Sequence, residues 1–214
     1  MKYKIIICDI DGTVADIRHR MHFIDPTIAV GDIVRPVGIP NAKYYHGVVT
    51  HISHFVGVSW RCPKGSISLK TSYVFPYDDL IKKVRNWRLF FESAIHDSAI
   101  KPNVELVLNL SKTYPILFCS GRPEKYRKIT MEWLDSVGLG ELFRINEGSN
   151  LAYTNLLMRP DNDTREDFIV KKELLDKHIT PFYSPIVAID DRSQVVKMWR
   201  DNGVNCWQVA EGNF

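Results

Sequence analysis

The segment Asp9-Ile10-Asp11-Gly12-Thr13 has the residue types and spacing of a phosphate-transfer site. It follows the apolar run Ile5-Ile6-Ile7-Cys8, so two carboxylates stand two residues apart where a predicted strand ends. A carboxylate attacks a phosphate dianion poorly because like charges repel, and a bound Mg2+ would cancel that repulsion. Asp9 is therefore a candidate nucleophile and metal ligand, and Asp11 is a candidate acid and base. A strand that ends in an Asx turn is the alternative interpretation.

The residues that follow each predicted strand add groups that can hold a phosphate. Gly12 permits a tight turn, and Thr13 offers a hydroxyl and a backbone amide to a phosphate oxygen. Ser120-Gly121-Arg122 follows the apolar run 116–119 and presents a hydroxyl, a flexible backbone and a guanidinium fork at a helix N-terminus. A serine N-cap beside a solvent-facing arginine would produce the same three letters.

Two further charged segments fit the same chemistry. Asp190 and Asp191 end the apolar run 186–189, and adjacent buried carboxylates repel each other unless a cation or an arginine compensates them. Asp163-Thr164-Arg165 opens a predicted helix that contains Lys171. An ammonium group beside an aspartate nucleophile would hold its charge and that of the phosphate, although Lys171 alone also resembles a surface residue.

Short apolar strands alternate with amphipathic helices along most of the chain, which predicts an α/β fold with a parallel sheet flanked by helices. Ligands bind outside the carboxyl ends of such strands, so the charged segments should meet in one crevice. The predicted elements are strands 3–8, 115–119, 155–158, 185–189 and 205–209, and helices 103–112, 123–137, 166–178 and 193–202.

Residues 26–79 depart from this pattern and are predicted to form an inserted small β-barrel, with 1–25 and 80–214 forming the main domain. Four short β-rich runs and a closing segment resemble an SH3-like or Tudor/KOW-like module: 32–36, 47–52, 55–60, 67–73 and 75–80. From Pro26 to Pro76 there are five basic residues and one acidic residue, whereas the remainder has 23 basic and 24 acidic residues. The positive charge of the chain therefore lies in the insert.

The aromatic residues of the insert have two interpretations. Tyr44, Tyr45, Phe55, Trp60 and Tyr73, together with the basic charge, suit stacking and backbone contact with a nucleic acid strand. They could equally form the core of the barrel, an interpretation favoured for Phe55 and Trp60. A zinc site could be imagined from another set, but its spacings match no zinc-finger pattern: His46, His51, His54 and Cys62.

The composition is that of an ordinary globular protein. The chain has 214 residues, of which 45% are hydrophobic and 25% charged. No apolar run approaches the roughly 20 residues of a membrane span, and Asp9 interrupts the first apolar run too early for a signal peptide. Four scattered cysteines without CxxC spacing are expected to be reduced. We therefore expect a cytoplasmic protein with no membrane association, in the host cytoplasm if a phage encodes it.

The four motif segments together resemble the haloacid-dehalogenase-like (HAD) phosphatases, and more closely the 3'-phosphatase domains of the phage polynucleotide kinase/phosphatase family. The resemblance covers residues 1–25 and about 86–214. It is carried by Asp9-Ile10-Asp11-Gly12-Thr13, Ser120-Gly121-Arg122, Met158-Arg159-Pro160, Asp163-Thr164-Arg165, Val170-Lys171, Ile189-Asp190-Asp191-Arg192, Val195-Val196-Lys197-Met198-Trp199-Arg200 and the segment from Cys206 to Phe214.

The resemblance implies a role for each matching residue. Asp9 would be the nucleophile, and Asp11 would protonate the leaving hydroxyl and then activate water. Mg2+ would be held by Asp9, Asp190 and the backbone carbonyl of Asp11. Ser120 and Lys171 would bind the transferring phosphoryl group. The remaining positions would bind substrate or support the metal shell: Gly12, Thr13, Arg20, Gly121, Arg122, Asp163, Arg165 and Asp191.

The substrate implied by the resemblance is a 3'-phosphorylated end of DNA or RNA. The insert stands where HAD enzymes carry a cap, so a phosphatase for nucleotides or small metabolites, with the barrel as a lid, is the alternative. An inert scaffold that only binds nucleic acid is a third possibility. No G-x-x-x-x-G-K-[ST] motif occurs, so no kinase activity is expected. The polar loop 138–154 suggests no function.

Overall fold

The computed structural model describes residues 2–25, 27, 33–36, 46–52, 55–61, 72–76, 81–143 and 155–212. Backbone contacts divide the chain into two compact units, one formed by Met1–Arg20 with Phe91–Phe214 and the other by Met21–Phe90. The second unit contains the predicted insert and extends beyond it at both borders.

The described strands and helices account for both units. The strands are β1 (Tyr3–Cys8), β2 (Ala15–Asp16), β3 (Ile33–Pro36), β4 (His46–Ile52), β5 (Phe55–Arg61), β6 (Ser72–Pro76), β7 (Ile81–Lys83), β8 (Ser98–Ala99), β9 (Ile116–Pro123), β10 (Leu156–Arg159), β11 (Tyr183–Arg192) and β12 (Cys206–Gly212). The α-helices are α1 (Trp87–Glu92), α2 (Lys101–Ser111), α3 (Arg127–Ser136), α4 (Gly140–Phe143), α5 (Asp167–Leu174) and α6 (Ser193–Asp201).

The first unit is built on a five-stranded sheet in the order β10-β9-β1-β11-β12, and every neighbouring pair in it is parallel. β1 is the central strand, and its residues 5–8 are all buried, as expected for a strand covered on both faces. The fold is therefore the HAD-like α/β fold predicted from the sequence. β9 and β11 each continue beyond the predicted strand end. The motif residues 120–122 and 190–191 therefore lie within strands and not in the loops that follow them.

Helix α6 shows how the sequence places its helices against the sheet. Its buried residues recur at the spacing of one helical face: Val195, Val196, Met198 and Trp199. They join a core cluster that includes Ile5 and Ile7 of β1 and Val170 of α5. This packing fixes α6 directly behind the end of β11.

The described strands of the second unit form a five-stranded antiparallel sheet in the order β6-β5-β4-β3-β7. The observed strands overlap the four predicted runs, and β7 adds a strand that the sequence analysis did not contain. Residues 67–71 and 77–80 of the predicted runs lie outside the described residues. That the sheet closes into an SH3-like barrel stays a prediction.

The described part of the chain contains no helix that combines the length and apolar character needed to cross a bilayer. Its three described cysteines, Cys8, Cys119 and Cys206, are free and buried. Burial raises the pKa of the Cys206 thiol to about 12, so this cysteine is a core residue rather than a nucleophile. Cys62 and the candidate zinc ligand His54 lie outside the described residues.

Candidate active site

The loop after β1 turns tightly and keeps its carboxylates at the end of the sheet. The backbone N–H of Asp9 donates to the carbonyl of Ile189 on β11 at 2.9 Å, so the first carboxylate is still fixed to the sheet. The N–H groups of Thr13, Val14 and Ala15 then donate to the carbonyl of Ile10. Gly12 has a φ of 81°, which glycine adopts without a steric penalty. The DxDGT sequence thus forms the predicted turn.

Lys171 of α5 lies at the centre of a group of carboxylates. Its Nζ donates to Asp9 Oδ1 at 2.7 Å and to Asp190 Oδ2 at 2.9 Å, and lies 3.4 Å from Asp167 Oδ2. Lys171 is fully buried. Lys171 is therefore not the surface residue that it resembled in sequence, because it contacts the carboxylate directly after β1, one of β11 and one of its own helix.

Asp9, Asp190 and Asp191 form a buried group suited to a metal ion. Each offers one carboxylate oxygen, and these oxygens lie within 4.8 Å of one another. Lys171 donates to two of these three carboxylates, and a divalent cation would supply the further positive charge that their full ionisation requires. Oxygen ligands of this kind are those that Mg2+ prefers. The carboxylate of Asp11 is not part of this group, and a metal contact through its backbone carbonyl stays a prediction.

The protonation of this group supports the same interpretation. Burial raises the pKa of Asp9 well above its usual value; Lys171 opposes this effect, and the charges of Asp190 and Asp191 add to it. Burial, followed by the neighbouring charge of Asp190, raises the pKa of Asp191 to about 7. A bound cation would lower these raised pKa values, because it would compensate the negative charge of the ionised carboxylates.

A second group consists of two buried arginines and two aspartates. Arg20 forms a fork on Asp97, with Nε and Nη2 each 2.7 Å from a carboxylate oxygen, and its Nη2 also donates to Asp11 Oδ1 at 2.7 Å. Arg122 donates from Nε to Asp11 Oδ1 at 2.9 Å and from Nη2 to Asp97 Oδ2 at 2.9 Å. The charges of these four side chains balance without a bound ion.

The two arginines determine the charge state of Asp11. Burial acts to raise the pKa of its carboxyl group, but Arg122 and Arg20 outweigh burial and hold the pKa well below its usual range. Asp11 is thus an ionised carboxylate in this state, and the arginines lower its affinity for a proton. Its candidate roles as acid and as base both pass through the protonated carboxyl group, which the arginines oppose.

Asp97 is a site residue that the sequence analysis missed. Its carboxylate is fully buried, accepts from both arginines, and lies 2.8 Å from His19 Nε2. Trp133 Nε1 donates to its backbone carbonyl at 2.7 Å. The local sequence does not indicate that Asp97 belongs to the site. The residue lies between two very short elements and is not part of a spaced pair of acidic residues.

Ser120, Gly121 and Arg122 lie in β9, and each takes part in the site. Ser120 is fully buried, and its Oγ accepts the backbone N–H of Arg122 at 3.2 Å. A Cβ atom at Gly121 would lie 2.4 Å from Asp167 Oδ1, so glycine is needed for the close approach of that carboxylate. Thr13 Oγ1 lies 3.4 Å from oxygens of Asp9 and Asp191.

Asp163 and Arg165 do not join these groups. They form an ion pair with each other, and Arg165 also pairs with Glu173 on a half-exposed surface. The carboxylate beside Lys171 is instead that of Asp167, which also accepts from Arg159 Nη2 at 3.0 Å. A sequence signal for this pair existed, since Asp167 and Lys171 are four residues apart on one helix.

Comparisons with known proteins agree with this geometry. The family described as "Polynucleotide kinase PNKP phosphatase domain" matches residues 70–214. The match begins after the DxDGT segment, which the central position of β1 joins to the matched strands. The putative bifunctional polynucleotide kinase/RNA ligase of Autographa californica nuclear polyhedrosis virus is 34% identical over 86 residues, which are 40% of this chain and 11% of the viral protein.

Two solved structures cover the whole of this chain. One, from the Pnkp1/Rnl/Hen1 complex, has a TM-score of 0.56, is 24% identical and is covered over 48% of its length. The other, from the Pnkp1/Rnl/Hen1 RNA repair complex, has a TM-score of 0.56, is 25% identical and is covered over 44%. The chain thus spans about half the length of these chains and about a tenth of the viral relative. From the matched family and the HAD-like sheet, we conclude that the chain belongs to the HAD-type PNKP phosphatase domain family.

Proposed function

We propose that this protein is a Mg2+-dependent phosphomonoesterase that removes the 3'-phosphate from nucleic acid ends through an aspartyl-phosphate at Asp9. The observation that carries the proposal is the position of the Asp9 carboxylate. It accepts a hydrogen bond from the buried ammonium of Lys171. One of its oxygens lies within 4.8 Å of carboxylate oxygens of Asp190 and Asp191. No other arrangement among the described residues combines a nucleophile, a cation site and a fixed ammonium.

The donor set fits a divalent cation, because three buried carboxylates bring their oxygens within 4.8 Å of one another. Asp9, Asp190 and Asp191 would hold it. When bound, the ion would neutralise charge on the phosphate and on its carboxylate ligands, which removes the repulsion that otherwise opposes attack. Magnesium, with its preference for oxygen ligands, is the ion that the set suits best.

The chain's own residues would divide the reaction into two steps. In the first, an oxygen of Asp9 forms a bond to phosphorus while the bond from phosphorus to the leaving 3'-oxygen breaks, and protonated Asp11 gives its proton to that oxygen. In the second, water loses a proton to Asp11, attacks phosphorus and releases both phosphate and the Asp9 carboxylate. Lys171 and Ser120 would stabilise the charge that develops on the phosphoryl oxygens.

The arginines keep Asp11 ionised before substrate binds, so it must take up a proton before the first step. For Asp11 to supply the proton in the first step, the pull of Arg20 and Arg122 on its carboxylate must weaken when substrate binds. An incoming phosphate dianion competes for guanidinium groups and raises the pKa of a neighbouring carboxyl group. Substrate binding would in this way raise the pKa of Asp11 and allow it to act as the general acid.

The substrate class is supported by the matched family and by the names of the relatives, which refer to polynucleotide kinases and RNA repair. The insert adds to this support, since residues 26–76 contain five basic residues against one acidic residue and therefore suit contact with a phosphate backbone. A lid over a small-metabolite site remains the second candidate, because the insert follows the first motif. A membrane surface plays no part in either proposal.

The experiment is phosphate release in Mg2+ from a 3'-phosphorylated oligonucleotide, a matched 5'-phosphorylated oligonucleotide, and free 3'- and 5'-mononucleotides. DNA and RNA versions of each oligonucleotide separate the two substrates. Preference for the 3'-phosphorylated oligonucleotide is the expected result, and preference for mononucleotides would overturn it in favour of the lid. Asp9→Asn is the control, and activity that survives it would remove Asp9 from the mechanism.

A further inference from the structure

Trp199 lies behind the metal-binding carboxylates and contacts one of them. It belongs to helix α6, is fully buried, and packs in the core cluster beneath the sheet. Its indole Nε1 donates to Asp190 Oδ2 at 3.2 Å. A core tryptophan thus reaches through the packed interior to a carboxylate of the candidate metal site.

The hydrogen bonds of Asp190 distinguish its two oxygens. Oδ2 accepts from Lys171 Nζ at 2.9 Å and from Trp199 Nε1, whereas Oδ1 accepts from the backbone N–H of Arg192 at 3.2 Å. A carboxylate oxygen accepts about two hydrogen bonds. Oδ2 is therefore occupied by the described donors, and Oδ1 is the oxygen that can serve a metal ion.

From these contacts we propose that Trp199 is a positioning residue that orients Asp190 for metal binding. This inference rests on the proposed function, since it assigns a role toward the cation of that site. The indole N–H fixes the rotation of the carboxylate, because it engages Oδ2 from a helix whose own position is set by core packing. Outer contacts of this kind change metal affinity by about 10- to 100-fold in other proteins.

Substitution of Trp199 by phenylalanine separates the hydrogen bond from the packing. Phenylalanine keeps an aromatic ring in the core and removes the N–H donor. The chain also offers a matched control, because Trp133 is equally buried and its Nε1 also donates a hydrogen bond. The acceptor of Trp133 is the backbone carbonyl of Asp97, which is not a member of the metal-binding group.

The test is titration of the metal-free protein with Mg2+ and with Mn2+ by calorimetry, for the parent chain, Trp199→Phe and Trp133→Phe. Thermal melting with and without each ion provides a second measure, because a bound ion stabilises the folded state. We expect Trp199→Phe to weaken binding by about tenfold and to shrink the metal-induced shift in Tm. Trp133→Phe should lower Tm without changing the affinity.

The assay with a 3'-phosphorylated oligonucleotide adds a kinetic distinction. Trp199→Phe should raise the Mg2+ concentration needed for half-maximal activity, with kcat largely restored at saturating Mg2+. Unchanged affinity in Trp199→Phe, or an equal loss in both variants, would overturn the inference. Failure of the parent chain to bind either ion would overturn both the inference and the metal in the proposed function. Metal binding without 3'-phosphatase activity would overturn only the proposed substrate.

Discussion

The carboxylate of Asp191 occupies the space that a side chain at Gly212 would need. A Cβ atom at Gly212 would lie 2.5 Å from Asp191 Oδ2, and one at Gly12 would lie 2.2 Å from the same oxygen. Gln208 Nε2 also donates to the backbone carbonyl of Asp191 at 2.9 Å. Strand β12, which contains both Gly212 and Gln208, therefore holds a candidate metal ligand in place.

Gly212→Ala should impair metal binding through this contact. Gly212 is not among the glycines with a positive φ, so its own backbone conformation accepts alanine. The closest clash falls on the Asp191 carboxylate, and backbone atoms of Asp191 and Arg192 would lie 3.0 Å from the new Cβ. We expect Mg2+ affinity, measured by calorimetry, to fall by about tenfold or more. Ala210→Ser is the control, because it adds one atom at an exposed position of the same strand. Equal affinities in the two variants would contradict the prediction.

Asp167→Asn and Asp163→Asn should have opposite outcomes. Asp167 is buried between Arg159 and Lys171. Lys171 keeps Asp9 and Asp190, but neutralising Asp167 removes the carboxylate that pairs with the largely buried Arg159 and should destabilise the fold by about 3 kcal/mol. Asp163 pairs with Arg165 at the surface, where an ion pair contributes little. Chemical denaturation measures the stability of both variants, and phosphate release measures their activity. A larger loss for Asp163→Asn would restore the assignment made from the sequence.

The metal-free protein should lose stability as the pH rises from about 4 to about 7. The unfolded chain releases the Asp191 proton near pH 4, while the folded chain retains it until about 7. The folded state therefore binds more protons in this window, and the free energy of unfolding falls by up to about 1.4 kcal/mol per pH unit. Denaturation at several pH values should show this slope reduced in Asp191→Asn. An unchanged slope would assign it to other groups.

Neutralising Lys43, Arg61, Lys64 and Lys70 in the insert should raise KM for a 3'-phosphorylated oligonucleotide. Each lost phosphate contact also reduces the dependence of binding on salt. Turnover of a small generic phosphate ester should stay the same, since that substrate has no strand to bind. A control neutralises four exposed lysines of the first unit: Lys112, Lys128, Lys177 and Lys197. If both sets affect oligonucleotide turnover equally, the insert has no special role.

The elements of the first unit could be predicted because burial dictates their sequence pattern. Residues 5–8 and 116–119 are apolar runs that end at polar motifs, and both became neighbouring strands with those motifs at one end of the sheet. Strand β7 could not be predicted in the same way. Its residues Ile81, Lys82 and Lys83 lack an alternating apolar pattern, and pairing with β3 rather than local propensity defines it.

The site was predictable where a motif is continuous in sequence and less so where it is assembled in space. Asp9, Lys171 and Asp190 were identified from their segments and do meet. Asp97 was missed because its partners, Arg20 and Arg122, come from distant parts of the chain. No local sequence pattern indicates that the buried guanidinium groups of Arg20 and Arg122 need Asp97 as a second carboxylate beside Asp11.

The backbone N–H of Asn86 donates to the carbonyl of Phe23 at 2.8 Å, so these two residues lie side by side within the second unit. In evolutionary terms, a segment whose ends are one hydrogen bond apart can be gained or lost as a single event. A connection as short as a two-residue hairpin loop can bridge such ends. A short connection from Phe23 to Asn86 could therefore replace residues 24–85 without stretching the backbone on either side.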